Sequence, residues 1–279
     1  MNQQIGLVKH PLRVHKPFVL RPDVLPRVDL LDELIRRVHR FRIITVTSPP
    51  GSGKTQLMRL LANMLRARTK SKPVYVITGW PQDDIQGGWE NYLISQTGYN
   101  GNYWLSYKAY LLLDEAHQAF WDRYFYKEFL AKIQPKSVPC VILFASHGLE
   151  PINGDLNHIR SFPPTDEGIG LHWDFPPSPC RSVGLFLRRH EADDIMTRYH
   201  LLRNCPVPTD EMKEGFFQCT NGHIGMMLAL LDTLFYRRMS PTTTKWSLLF
   251  LNINVSILGI PVHADHLVQL ANSKYTALC

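Results

Sequence analysis

The residues best equipped for chemistry are two pairs. Lys54 and Thr55 close the stretch RIITVTSPPGSGKT (residues 42–55), and Asp114 and Glu115 close the apolar run in YKAYLLLDEAHQAF. A lysine ammonium is a compact positive charge suited to phosphate oxygens, while a threonine hydroxyl and an aspartate carboxylate are hard oxygen ligands for one divalent cation. A glutamate beside them can orient or deprotonate a water. Lys54 sits in the pattern Gly-x-x-x-x-Gly-Lys-[Ser/Thr], with Ser48 at the first position where the pattern has Gly. Serine is small, so the turn can still form. Without bulky Cβ atoms, successive amides of such a turn converge on phosphate oxygens, and the helix behind it adds its positive end. Pro50, Gly51, Ser52, Gly53, Lys54, Thr55 and Gln56 are therefore expected to surround a polyphosphate. Lys54 would reach the β- and γ-phosphates, Thr55 and Asp114 would hold Mg²⁺, and Glu115 would act on the attacking water. The bland alternative is a chance Gly-rich turn with a solvated lysine.

What flanks the turn argues for the first reading. A β-branched run (42–48) precedes it and the amphipathic QLMRLLANMLRAR follows, giving the strand, turn and helix that phosphate binding requires. A second strand is expected over 74–78, bounded by Pro73 and Gly79, then a helix around WENYLISQ. Residues 110–113 form the continuous apolar run of a parallel strand buried on both faces, which puts Asp114 and Glu115 at its carboxyl end, where open α/β sheets bind ligands. A helix over 121–133 leads to another buried strand, 140–145, ending in Ser146 and His147. Ser146 there would sense the γ-phosphate or hold the attacking water; His147 is either a second such group or an ordinary loop histidine. Upstream, Leu30, Leu31, Leu34, Ile35 and Val38 recur at helical spacing with Arg36 and Arg37 facing away. A helix feeding into the phosphate-binding strand would bring Arg21 and Arg27 near the nucleotide, unless they are simply exposed arginines. His117 completes the string DEAH, which invites a helicase reading. Such enzymes need a second domain with its own arginine motif, and no Gln-x-x-Gly-Arg-x-x-Arg follows, so His117 is read as a structural helix-start residue.

The 279 residues suffice for one large α/β domain and a smaller helical appendage. Residues 148–179 are dense in Pro, Gly and Asn, a long loop or insertion. Beyond it come a short strand (183–187), a helix with Ile195, Met196 and Tyr199 on one side, a helix over 208–220 stopped by Asn221 and Gly222, and an apolar helix from about His223 to Met239. The divisions drawn are a flexible lead (1–17), a nucleotide-binding domain (18–187), a helical lid (188–239) and a tail of open structure (240–279). With 31 Lys and Arg against 24 Asp and Glu the net charge is +7, which suits anionic ligands without a compact basic run that would specify nucleic acid. Five cysteines without C-x-x-C pairing fit a reducing compartment rather than a disulfide framework or zinc site. The start lacks the apolar core of a secretory signal, and no stretch has the length of a membrane span, so an intracellular location, with no membrane partner, is expected.

The order LPRVDLLDEL, VTSPPGSGKT, LLLDEAH, FASHG and TNGHIGMMLALL resembles the STAND branch of the AAA+-related P-loop NTPases, which includes maltose-regulator-like and NLR-like signalling ATPases. A more general likeness is to fungal and oomycete crinkler-type proteins. The resemblance implies a three-layer α/β/α P-loop NTPase core on a parallel sheet, followed by a small helical lid whose angle changes with nucleotide state and gates self-assembly. It implies ATP or ADP with Mg²⁺, the Walker A and Walker B roles already assigned, and adenine over GTP's guanine. Gly222, His223 and Ile224 resemble the family's Gly-x-Pro motif near adenine, so His223 joins the cofactor-binding set, although Ile224 stands where Pro is usual. Where the family often has a sensor arginine, this chain has Ser146 or His147. The expectation is a Mg-dependent ATPase switch. Its rivals are a nucleic-acid-dependent ATPase of the helicase or loader class and a module that binds ATP or ADP without turnover.

Overall fold

The computed structural model describes residues 16–69, 71–80, 88–99, 101–119, 121–146, 169 and 183–233. Its centre is a four-stranded, all-parallel sheet of β1 (Ile43–Ser48), β2 (Val74–Thr78), β3 (Tyr110–Asp114) and β4 (Cys140–Ser146), in the order β1-β4-β3-β2. Parallel strands covered on both faces cannot alternate polar and apolar residues, hence the unbroken YLLL and CVILFA runs. Burying Leu111, Leu112 and Leu113 stabilises the strand by about 2 kcal/mol each. That anchors the Asp114 carboxylate, only 3% exposed, at the strand end.

Each strand sends successive side chains to opposite faces, and the two faces are covered differently. On one, Ile44, Val46, Leu112, Ile142 and Phe144 meet the apolar stripes of α1 (Val28–Phe41) and α2 (Lys54–Arg68). On the other, Ile43, Ile77, Leu111, Leu113 and Leu143 meet an aromatic layer of Trp80, Trp89, Trp104, Phe125 and Phe129, carried largely by α3 (Gly88–Thr97), α4 (Gly101–Ser106) and the segment after β3. The result is the expected three-layer α/β/α arrangement. A separate core, built from Leu25, Leu187, Ile195, Met196, Tyr199, Phe216, Met227 and Leu230, joins α5 (Arg189–Arg203), α6 (Asp210–Thr220) and α7 (Ile224–Leu231) into a three-helix unit. Met226 and Met227, consecutive on α7, are both buried.

Four sequence expectations are corrected. Residues 183–187 are buried but do not form a strand. Their main-chain groups are used otherwise: the Arg27 guanidinium donates to the carbonyls of Gly184, Leu185 and Phe186, and the Leu187 N–H donates to the Gly222 carbonyl at 2.9 Å. Beside β1, on the edge away from β4, it is Ile169 that pairs instead, exchanging bonds of 2.9 and 2.8 Å with Thr47 and Thr45. Arg37 does not face away from the α1 stripe. It is 1% exposed and paired at 2.8 Å with the equally buried Glu33 one turn earlier, a pairing that makes a charged position compatible with the interior. The helix expected over 121–133 is an irregular one, π-type over Phe125–Phe129 and 3₁₀ over Leu130–Lys132. Finally, the α6 helix starts at Asp210, two residues after the expected Pro208, because the Thr209 hydroxyl accepts from the Met212 N–H and caps it there. His147, most of 1–17 and 148–179, the end of the last helix and the tail lie outside the described residues.

Candidate functional site

All four strands end on the same edge, and the register puts the chemical residues side by side there. Ser48 pairs with Ser146 across β1 and β4, and Thr78 with Asp114 across β2 and β3. The turn leaving β1 has Gly51 at φ 77° and Gly53 at φ 92°, left-handed values that glycine adopts without steric cost, and Gly53 caps the start of α2. Inside it, the hydroxyls of Ser48 and Ser52 are hydrogen-bonded to each other and both residues are buried. Serine at the first position of the pattern therefore stitches the base of the loop together with its side chain.

Lys54 is 6% exposed and folds back over the loop, its Nζ donating to the carbonyls of Ser48 at 2.7 Å and Pro49 at 2.9 Å. Burial lowers its pKa from the ordinary lysine value, and the nearby Glu115 and Asp114 pull the other way. The ammonium is thus poorly satisfied by solvent and held where an anion would be welcome. One residue on, the Thr55 hydroxyl donates to Asp114 Oδ2 at 2.8 Å. The hydroxyl and carboxylate expected to share a cation are in direct contact. Asp114 Oδ1 accepts the Glu115 N–H at 3.1 Å, fixing the carboxylate.

Glu115 has φ 52°, a left-handed conformation uncommon for a residue with a Cβ. Its carboxylate lies 3.4 Å from His117 Nε2, and the other ring nitrogen of His117, Nδ1, accepts the main-chain N–H of Ser146 at 3.2 Å. That second bond assigns the proton of a neutral ring to Nε2, directing it at Glu115. His117 thus bridges the acidic pair to the end of β4, a role sequence reading missed. The spacing of DEAH was visible, but the contact depends on β4 lying next to β3, which no local pattern encodes. The Ser146 N–H enters this arrangement through the main chain.

The three-helix unit closes over the loop. The backbone of α7 comes so near that a Cβ on Gly225 would lie 2.4 Å from the Gly51 carbonyl oxygen. His223 caps α7, its Nδ1 accepting from the Met226 N–H at 3.2 Å, and its Cε1 lies 3.8 Å from where a Cβ on Gly51 would stand. Burial most of all, with the positive charge of Lys54 added, lowers its pKa. Among the described residues, two buried side-chain polar atoms have no partner, His223 Nε2 and Gln56 Oε1, and both belong to the expected cofactor-binding set. Arg27 is placed differently from expectation. Its guanidinium binds Glu191 at 3.0 Å and the three carbonyls of 184–186, so it fastens the start of α1 to the start of α5. The Arg21 guanidinium is likewise bonded to Asp23.

No protein-family profile matches this sequence, and no curated protein does. Among solved structures, the chain is similar to two variants of RuvB from Thermotoga maritima. One is 16% identical over 87% of this chain and 67% of that one, with a TM-score of 0.40. The other is 17% identical over 90% and 68%, with a TM-score of 0.39. Among the described residues no helix is long and apolar enough to cross a membrane.

Proposed function

We propose that the chain is an ATP-binding P-loop NTPase that hydrolyses ATP with Mg²⁺ and uses the nucleotide state as a switch. The observation that carries this reading is the 2.8 Å contact between Thr55 and Asp114, which joins the glycine turn to the acidic pair across two strands. The fit to a Mg-nucleotide rests further on the left-handed glycines of the turn and on the two orphaned polar atoms beside it. Thr55 and Asp114 would hold the cation. When bound, Mg²⁺ supplies charge that offsets the negative phosphate oxygens.

The remaining work falls to the chain itself. The loop amides and the start of α2 bind the phosphates, and Lys54 exchanges its two carbonyl partners for phosphate oxygens. Glu115, with His117 behind it, orients the attacking water and accepts its proton. Ser146 lies at the end of β4 beside the loop, where it would meet the terminal phosphate. Contacts between α7 and Gly51 supply the means by which a bound nucleotide could change the angle of the helical unit, and self-assembly would follow from that angle.

Calorimetry with Mg-ATP and a phosphate-release assay test the reading. Lys54→Ala is expected to abolish binding, and Glu115→Gln to leave binding intact while lowering turnover by about 10²-fold or more. Turnover unchanged in both variants would refute it.

A further inference from the structure

The His223 side chain is 2% exposed, yet one of its two ring nitrogens has no partner. Buried polar groups are nearly always hydrogen-bonded, so an orphan at a candidate ligand site points to what the ligand must offer. Here the answer is an acceptor. Nδ1 is committed to the Met226 N–H, which leaves the proton on Nε2. Cε1, the atom joining the two nitrogens, faces Gly51 at the crest of the loop, and Lys54 is the charge nearby. Phe186 packs edge-on against the ring, at 6.3 Å between centroids. His223 itself stands at the N-cap of α7, whose first N–H groups and dipole also favour negative charge.

Resting on the nucleotide-binding reading above, we propose that His223 is a phosphate ligand rather than an adenine contact: its Nε2–H donates to the diphosphate portion of the nucleotide from the three-helix unit. The consequence is a coupling. One ring caps α7 through one nitrogen and grips the phosphate chain through the other, so phosphate occupancy and docking of α7 on the loop become a single event. Gly225 allows this, since a side chain there would strike the Gly51 carbonyl and hold the two elements apart.

The test uses the full chain and three probes: Mg-ADP, inorganic pyrophosphate with Mg²⁺, and adenosine. His223→Asn keeps an oxygen that can cap α7 but removes the distant donor. Its affinity for ADP and pyrophosphate is expected to fall about tenfold or more, the usual worth of a hydrogen bond to a charged group, with adenosine binding unchanged. Wild-type-like affinity of the variant for ADP and pyrophosphate overturns the proposal, as does an equal loss for adenosine. If the variant does not fold, the Nε2 proton of the wild type in NMR decides. A shift on adding pyrophosphate supports the assignment and no shift refutes it. Lys54→Ala separates the two levels. A wild type that binds neither ADP nor pyrophosphate removes the nucleotide reading itself. A wild type that binds, with loss in Lys54→Ala but not in His223→Asn, removes only the role of His223.

Discussion

Glu115 is held by two features, a left-handed backbone and a histidine that is itself held by β4. If His117 serves only to fill space, its removal should affect stability alone. If it aims the carboxylate, its removal should slow chemistry without weakening nucleotide binding. The second is expected: His117→Ala should lower kcat by about 10-fold or more while leaving the affinity for Mg-ATP unchanged, since losing a residue that orients a reacting group costs about that much. The check is a double-mutant comparison by phosphate release. Added to Glu115→Gln, the His117 change should have no further effect on kcat. Residue roles of this kind were only half legible in the sequence. Lys54, Thr55 and Asp114 could be singled out because the phosphate-binding pattern has those types in that order, and the fold brings Thr55 and Asp114 into contact. His117, read as a structural helix-start residue, also reaches Glu115 and the Ser146 N–H, and Arg37, assigned to the outside, proved to be buried with Glu33.

The elements divide in the same way. β1 to β4 and α2 could be read because their apolar runs and the strand–turn–helix order are local signals, and they appear where expected. Residues 183–187 have the composition of a strand but their carbonyls are claimed by Arg27, a partner from the far end of the domain, and the place beside β1 is taken by Ile169 from a Pro-rich stretch. Such competition is tertiary and leaves no trace in periodicity. The junction between this segment and the helical unit is unusually tight at Gly222, where an added Cβ would lie 2.5 Å from the Leu187 carbonyl oxygen at φ 75°. Gly88, at φ 83°, has nothing among the described residues within 4 Å of the same position. The two glycines therefore separate backbone strain from collision. Gly88→Ala is expected to cost about 1 kcal/mol and Gly222→Ala about 3 kcal/mol or more, measured by denaturant unfolding. Equal costs would mean that the Leu187 contact yields easily.

At the level of the whole molecule, the site edge and the opposite end of the sheet carry different chemistry. At the far end, His39 is bonded to the Tyr110 hydroxyl, with Lys72 and Arg42 nearby. Burial first, and then those two positive charges, lower its pKa below the ordinary 6.5. The unfolded chain thus binds a proton there more readily than the folded one, so stability increases with pH through this window. The contribution is complete above the ordinary value and is lost as pH falls below it. His39→Gln should accordingly lose less Tm than the wild type between pH 7.5 and 5.5, both about one unit from the unperturbed pKa. At the site end, Trp80 lies two residues beyond β2, fully buried, with its N–H held by Gln118, its indole by Asp122 and its carbonyl by the Trp121 indole. The preceding Gly79 N–H bonds to the Asp114 carbonyl. Two indoles therefore lie beside the strand end that carries the acidic pair, and the tryptophan fluorescence of the chain is expected to shift when that edge is occupied, with no dye attached.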